Sequence, residues 1–215
     1  MFYLFNVKIF IGNVIEIVSA LATIIASIVA VIGISTWKKQ LIVKAEFDIA
    51  KRLMKSIYEI RSAIDLVRRP FQTSDEIEQA KATFMGKSNV THDDNLEYKI
   101  QQAIYFKRWE KLNCSLNSFY SELLEAEALW GNDIIIRTTT LMTSVNQLRA
   151  SIDFYLMEIN YPETKDREKS PINRRIMISN QGSSIKDEFR EQVQESIKLI
   201  EDFVKPKLII NKRKL

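Results

Sequence analysis

The sequence predicts an all-α protein: one N-terminal transmembrane helix followed by a cytoplasmic antiparallel helical bundle with long helices. Three observations predict it. Ile17 to Trp37 is an apolar run without a single charge. Gly and Pro number only 5 and 4 in 215 residues; helix interiors exclude both, whereas sandwiches and barrels need them in their turns. Beyond the apolar run, apolar residues recur at steps of three and four, the period of a helix with one buried face.

The division follows: residues 1–37 are an N-terminal tail and transmembrane helix, 38–204 a cytoplasmic helical domain with a flexible loop at 161–184, and 205–215 a basic tail. As a helix, 17–37 is ~31 Å long, the thickness of a bilayer's hydrocarbon core. Trp37, Lys38 and Lys39 close it as an interfacial anchor. A signal peptide would be shorter and start basic, but only Lys8 precedes this run, which continues well past Ala20-Leu21-Ala22. Lys38, Lys39, Lys44, Lys51, Arg52 and Lys55 follow the span. The positive side stays inside, so the N-terminus is expected outside and the domain in the cytoplasm.

The span is divided around its own axis. Gly12, Glu16, Ser19, Ala20, Thr23, Ala26, Ser27 and Ala30 fall on one side, and bulky Val and Ile residues on the other. Small and hydroxyl residues gather where membrane helices pack closely, and a carboxylate near hydrocarbon seeks a partner, a cavity or the headgroups. The stripe is expected to drive self-association into a homo-oligomer. A pore lining is the sharper version; a headgroup-level Glu16 with incidental small residues is the bland one.

After the span, Ala50, Leu53, Ile57, Ile60, Ile64 and Val67 form a heptad-like seam. It is too short for a coiled coil, and the inner face of a bundle helix is the preferred reading. Pro70 ends this helix. Thr73-Ser74-Asp75-Glu76 reads as a capping box opening a short helix to about Met85, with Gly86 as its C-cap. Residues 87–94 form a polar loop holding His92. In the next helix, 95–130, Ile100, Ala103, Ile104, Trp109, Leu112, Leu116, Phe119, Leu123 and Leu124 recur at the helical spacing of a buried face. Gly131 stops it, Asn132 or Asp133 caps a helix to Asn160, and the two fold back as a hairpin. Within 161–184, residues 174–178 are expected to form a small strand. Ser184-Ile185-Lys186-Asp187 then caps a last helix ending near Val204, before Pro206.

Chemistry is sparse. No phosphate loop, His-Glu-x-x-His or Cys-x-x-Cys is present. One cysteine, Cys114, and one histidine exclude a zinc site of the usual ligands and leave a nucleophile without an evident base. A non-enzyme without metal or cofactor is expected. Net charge is +4, from 31 basic and 27 acidic residues, which permits but does not demand contact with anionic lipid or a nucleotide. Lys107 and Arg108, within Tyr105-Phe106-Lys107-Arg108-Trp109, and Arg174 and Arg175 are candidate ligand or phosphate contacts. Nucleic acid is the lesser reading; membrane lipid, a partner protein or a nucleotide signal fit better.

The apolar run, with Ser35-Thr36-Trp37-Lys38-Lys39-Gln40-Leu41, Ala50-Lys51-Arg52-Leu53 and Ile64-Asp65-Leu66-Val67-Arg68-Arg69-Pro70-Phe71, resembles a group of uncharacterised bacterial single-span inner-membrane proteins. The resemblance covers about residues 17–71 and includes no catalytic motif. It implies an inner-membrane location and no particular ligand. In architecture alone, the chain is similar to membrane effectors of antiphage systems. The expected function is a membrane-anchored effector or sensor: a cytoplasmic domain senses a signal, and oligomerised transmembrane helices perturb the membrane. The alternative is a non-catalytic scaffold tethering a cytoplasmic partner protein.

Overall fold

Long stretches without Gly or Pro become long helices. The computed structural model describes residues 2–85, 96–161, 163, 169–179 and 186–209. Among the described residues there are six helices: α1 Phe2–Val67, α2 Ser74–Met85, α3 Leu96–Trp130, α4 Asn132–Asn160, α5 Lys169–Met177 and α6 Glu188–Leu208. No strand occurs among the described residues. The chain divides into two compact units, Met1–Phe47 with 210–215, and Asp48–Ile209. His92 and the polar loop lie outside the described residues, as do Gly86 and the end of the basic tail.

In the first unit, the apolar side chains of α1 from Val18 to Ile34 have no cover. Val18, Leu21, Ile24, Ile25, Ile28, Val29, Val31, Ile32 and Ile34 are each more than half exposed. This helix is long and apolar enough to cross a membrane, and none of its most apolar stretch is buried.

The second unit has a conventional core. The seam residues Ala50, Leu53, Ile57, Ile60, Ile64 and Val67 are all buried there, together with Leu112, Phe119, Ile134, Leu141, Leu148 and Ile200. The inner-face reading of this part of α1 holds. α3 and α4 pack on each other across Gly131. Tyr105 meets Tyr155 edge-on at 5.9 Å, and the Tyr120 hydroxyl approaches Met142 Sδ. These pairs stand at similar distances from the turn, so the two helices run antiparallel. α3 also runs antiparallel to the end of α1. Arg52 Nε donates to Glu122 Oε2 at 2.7 Å, and Arg108 Nη1 donates to Arg69 O at 2.8 Å. α4 further packs against α5 and α6.

Four local expectations need correction. Residues 174–178 do not form a strand: α5 covers Lys169–Met177, and burial of Ile176 and Met177 in the core selects a helical turn. Pro171 falls in its first turn, where a missing N–H leaves no bond unmade. α6 continues through Pro206 to Leu208. Its last turn is held by tertiary contacts: Phe203 packs edge-on against Trp130 at 5.9 Å, and the Lys207 ammonium lies 4.9 Å from the Trp130 ring centre. Those contacts outweigh the hydrogen bond that proline removes. Neither Asn132 nor Asp133 caps α4; Gly131 holds that position, with φ 67° and ψ −159° and no side-chain cap. Such dihedrals are accessible essentially to glycine alone. Leu124 is 67% exposed while Leu123 is buried. One helical step of 100° turns Leu124 away from α4 and α1.

Candidate functional site

Two buried arginines build the joints between helices. Arg68, at the end of α1, is 1% exposed. Its Nε donates to Ile176 O at 2.6 Å, and Nη2 donates to Arg175 O, Ile178 O and Asp187 Oδ1 at 3.1, 3.2 and 2.8 Å. The guanidinium lies 4.7 Å from the Phe189 ring centre. The three carbonyls are at the C-terminal end of α5, where backbone acceptors lack helical partners and the helix dipole favours a cation. Asp187 is the N-cap of α6 and accepts from Arg190 N at 3.1 Å, so a carboxylate occupies the opposite, positive end of a dipole. One ion pair thus terminates one helix and starts the next.

Arg108 repeats the device on α3. It is 3% exposed and grips Glu76 with both ends of its fork, Nε to Oε1 at 2.8 Å and Nη2 to Oε2 at 2.9 Å. It also donates to Arg69 O and Phe71 O at 2.8 and 3.0 Å. Glu76 closes the expected capping box: Thr73 N donates to its carboxylate at 2.9 Å, and Glu76 N donates to Thr73 Oγ1 at 3.3 Å. The Arg108 guanidinium, with help from Thr73, lowers the Glu76 carboxyl to about 2. Arg108, a candidate ligand contact from the sequence, is therefore turned inward and bonded where α1 meets α2. Four of its five N–H donors are engaged at the α1–α2 joint.

The remaining basic candidates, Lys107, Arg174 and Arg175, stay at the surface. Lys107 is exposed and bonded to Gln79 on α2. Arg174 and Arg175 are exposed in the last turn of α5. The aromatic stretch around them is occupied from within: Arg149 covers the Trp109 ring at 4.9 Å and is itself tied to Asp153 at 3.1 Å. Tyr105 is buried, and that burial pushes its hydroxyl up to about 12. Only Phe106 projects, at 71% exposed.

The stripe in the first unit is present as a ladder. Ser19 Oγ donates to Glu16 O at 3.0 Å, Thr23 Oγ1 to Ser19 O at 2.8 Å, and Ser27 Oγ to Thr23 O at 2.8 Å. Glu16, Ser19, Thr23 and Ser27 therefore share one exposed face, with Ala20, Ala26 and Ala30 also exposed on this segment. Each hydroxyl donor is satisfied by its own helix, a common way for Ser and Thr to sit in helices. Gly12 belongs to α1, but its side of the helix lies outside the described residues.

Sequence reasoning did not single out one concavity. A groove of ≈ 680 Å³ runs along α1 in the second unit, lined by Lys51, Met54, Lys55, Tyr58, Glu59, Ser62, Ala63, Leu66, Lys111, Ser115 and Leu208. Its α1 stripe extends about 22 Å from Lys51 to Leu66 at the helical rise. Small side chains at Ser62, Ala63 and Ser115 create the depression, and α3 and the last turn of α6 supply its walls. The signal was readable in part: these α1 positions recur at three and four beside the buried seam. Which of them face an open channel depends on how far α3 and α6 stand apart.

No protein family, curated protein or solved structure matches the chain.

Proposed function

We propose that this chain is a non-catalytic, membrane-anchored effector with a sensing domain. The segment around 17–37 crosses a bacterial inner membrane once, with the N-terminus outside. The helices of the second unit form a cytoplasmic antiparallel bundle that receives a signal. Association of the membrane segments through the Glu16-Ser19-Thr23-Ser27 face transmits the signal by perturbing the bilayer. One observation carries the reading: a continuous row of large apolar side chains, Val18 to Ile34, is more than half exposed and has no protein cover. At roughly 25 cal/mol per Å² of apolar surface, leaving such a row in water is strongly unfavourable, and lipid removes that cost.

The test has two parts. The protein should remain in the membrane pellet after alkaline carbonate extraction. Cys114 is exposed and is the single thiol of the chain. An impermeant maleimide should label it only after spheroplasts are lysed, and labelling of intact spheroplasts would reverse the assigned orientation. For association, light scattering of the detergent-extracted protein should show an oligomer that Ser19→Leu with Thr23→Leu dissociates without loss of insertion. An oligomer indifferent to that change would remove the stripe from the mechanism.

A second reading is favoured by a different observation. The stripe hydroxyls already donate to their own helix, so the segment can rest in lipid without a partner. The chain would then be a scaffold, its anchor passive and its domain tethering a cytoplasmic protein. Replacement of the membrane segment by an unrelated poly-Leu span preserves function under this reading and abolishes it under the first.

A further inference from the structure

We infer that the α1–α3–α6 groove binds a single-chain anionic amphiphile, of the long-chain fatty carboxylate class. The inference gives the sensing domain its ligand class and rests on that reading for its purpose. Three features of the groove select the ligand.

The first is size. At ≈ 680 Å³ the groove falls within the range of small-molecule sites. Its length of about 22 Å along α1 accommodates an extended acyl chain. The second is the state of its polar atoms. The Tyr58 hydroxyl donates to Glu201 at 2.8 Å, and the Ser115 hydroxyl donates to Lys111 O at 3.2 Å. Apart from Glu59, Ser62, Ser115 and the three lysines, what the wall presents is Met54, the Tyr58 ring, Ala63, Leu66 and Leu208. A nucleotide or polar metabolite would leave its own donors and acceptors unpaired there, at a cost an acyl chain does not meet. Met54 adapts its shape to such a chain.

The third feature is charge. Lys51 and Lys55 stand one helical turn apart at one end of the groove, both exposed. Lys51 makes no ion pair among the described residues, and Lys55 pairs at 3.5 Å with the half-buried Glu59, the one carboxylate in the lining. Two ammonium groups at the end of an apolar channel complement a carboxylate head with its tail directed toward Leu66. Lys111 lines the opposite end, where its methylene stem can cover the tail while its charge stays in water.

The experiment uses the full chain in phosphatidylcholine nanodiscs and a diazirine-bearing palmitate as probe. Cross-links should map to peptides containing residues 51–66 and 111–115. Unlabelled palmitate should displace them and hexadecanol, which lacks the charge, should not. Ser62→Trp places a large ring in the groove from an exposed position, and should lower labelling at least fivefold with an unchanged circular dichroism spectrum. Lys51→Glu with Lys55→Glu should lower it similarly while leaving the groove open. Labelling confined to the apolar segment 18–36, or equal labelling of Ser62→Trp, would overturn the inference. So would a benzophenone side chain at position 62 that cross-links two copies of the chain, since a second copy would then occupy the groove. Carbonate extraction reports insertion and photolabelling reports occupancy, so this inference and the membrane reading fail separately.

Discussion

Glu76→Gln tests whether the α1–α2 joint is an electrostatic clamp. The Glu76 carboxyl is lowered from 4.5 to about 2, chiefly by the Arg108 hydrogen bonds. Taken at face value, that depression corresponds to about 3 kcal/mol of stability at neutral pH. The Glu76 side chain is 22% exposed, so solvent screening reduces the effect to about 1–2 kcal/mol. Glutamine retains one acceptor oxygen, and Arg69 O and Phe71 O still hold Arg108, which keeps the loss below that of an abandoned buried charge. The sign is definite. A carboxyl with a depressed folded value stabilises fully above its unfolded value near 4.5, and the contribution disappears as pH falls toward 2. Urea unfolding of the full chain in detergent, followed by circular dichroism, should place Glu76→Gln about 1–2 kcal/mol below wild type at neutral pH. The two should converge between pH 4.5 and 2. Equal midpoints at neutral pH, or parallel loss in acid, would show that the joint is held by packing alone.

Three further outcomes follow from the structure. Arg68→Lys replaces a planar fork by a point charge and cannot serve three carbonyls and Asp187 together; a loss of about 2–3 kcal/mol is expected, with faster amide exchange at Ser179, whose N–H donates to Arg68 O at 2.9 Å. Gly131→Ala meets no atom within 4 Å, so its cost is purely conformational, about 1–3 kcal/mol. Asn should not rescue it, because asparagine tolerates left-handed helical dihedrals and not ψ −159°. Leu123→Ala should cost about 2–5 kcal/mol and Leu124→Ala under about 0.5; equal thermal shifts for these neighbours would contradict the assigned face of α3.

Much of the fold was legible because its signals are local. The seam from Ala50 to Val67 is periodic, and each of its six residues is buried. The Thr73–Glu76 box is a contact between residues three apart, and such geometry is written in the spacing alone. The errors came where long-range packing outweighed a local preference. Pro206 marks a helix end in isolation, yet Trp130 and Phe203 hold that turn closed. Arg174-Arg175-Ile176-Met177-Ile178 has strand-like composition, yet no edge pairs with it, and Arg68 terminates it as a helix. The basic candidates separate into buried and exposed for a related reason. A sequence shows that Arg108 is cationic but not that its guanidinium lies buried against Glu76.

The sequence by itself determined the helical class and the membrane-length apolar segment, because backbone propensity and hydropathy act residue by residue along the chain. Only the tertiary structure decided which cations are structural and where the groove opens. Arg68 is joined to Asp187 across 119 residues and Arg108 to Glu76 across 32. The groove exists because small side chains of α1 and α3 leave a space that the last turn of α6 closes at one end. Such features depend on distances between helices, and no local pattern encodes the width of a gap.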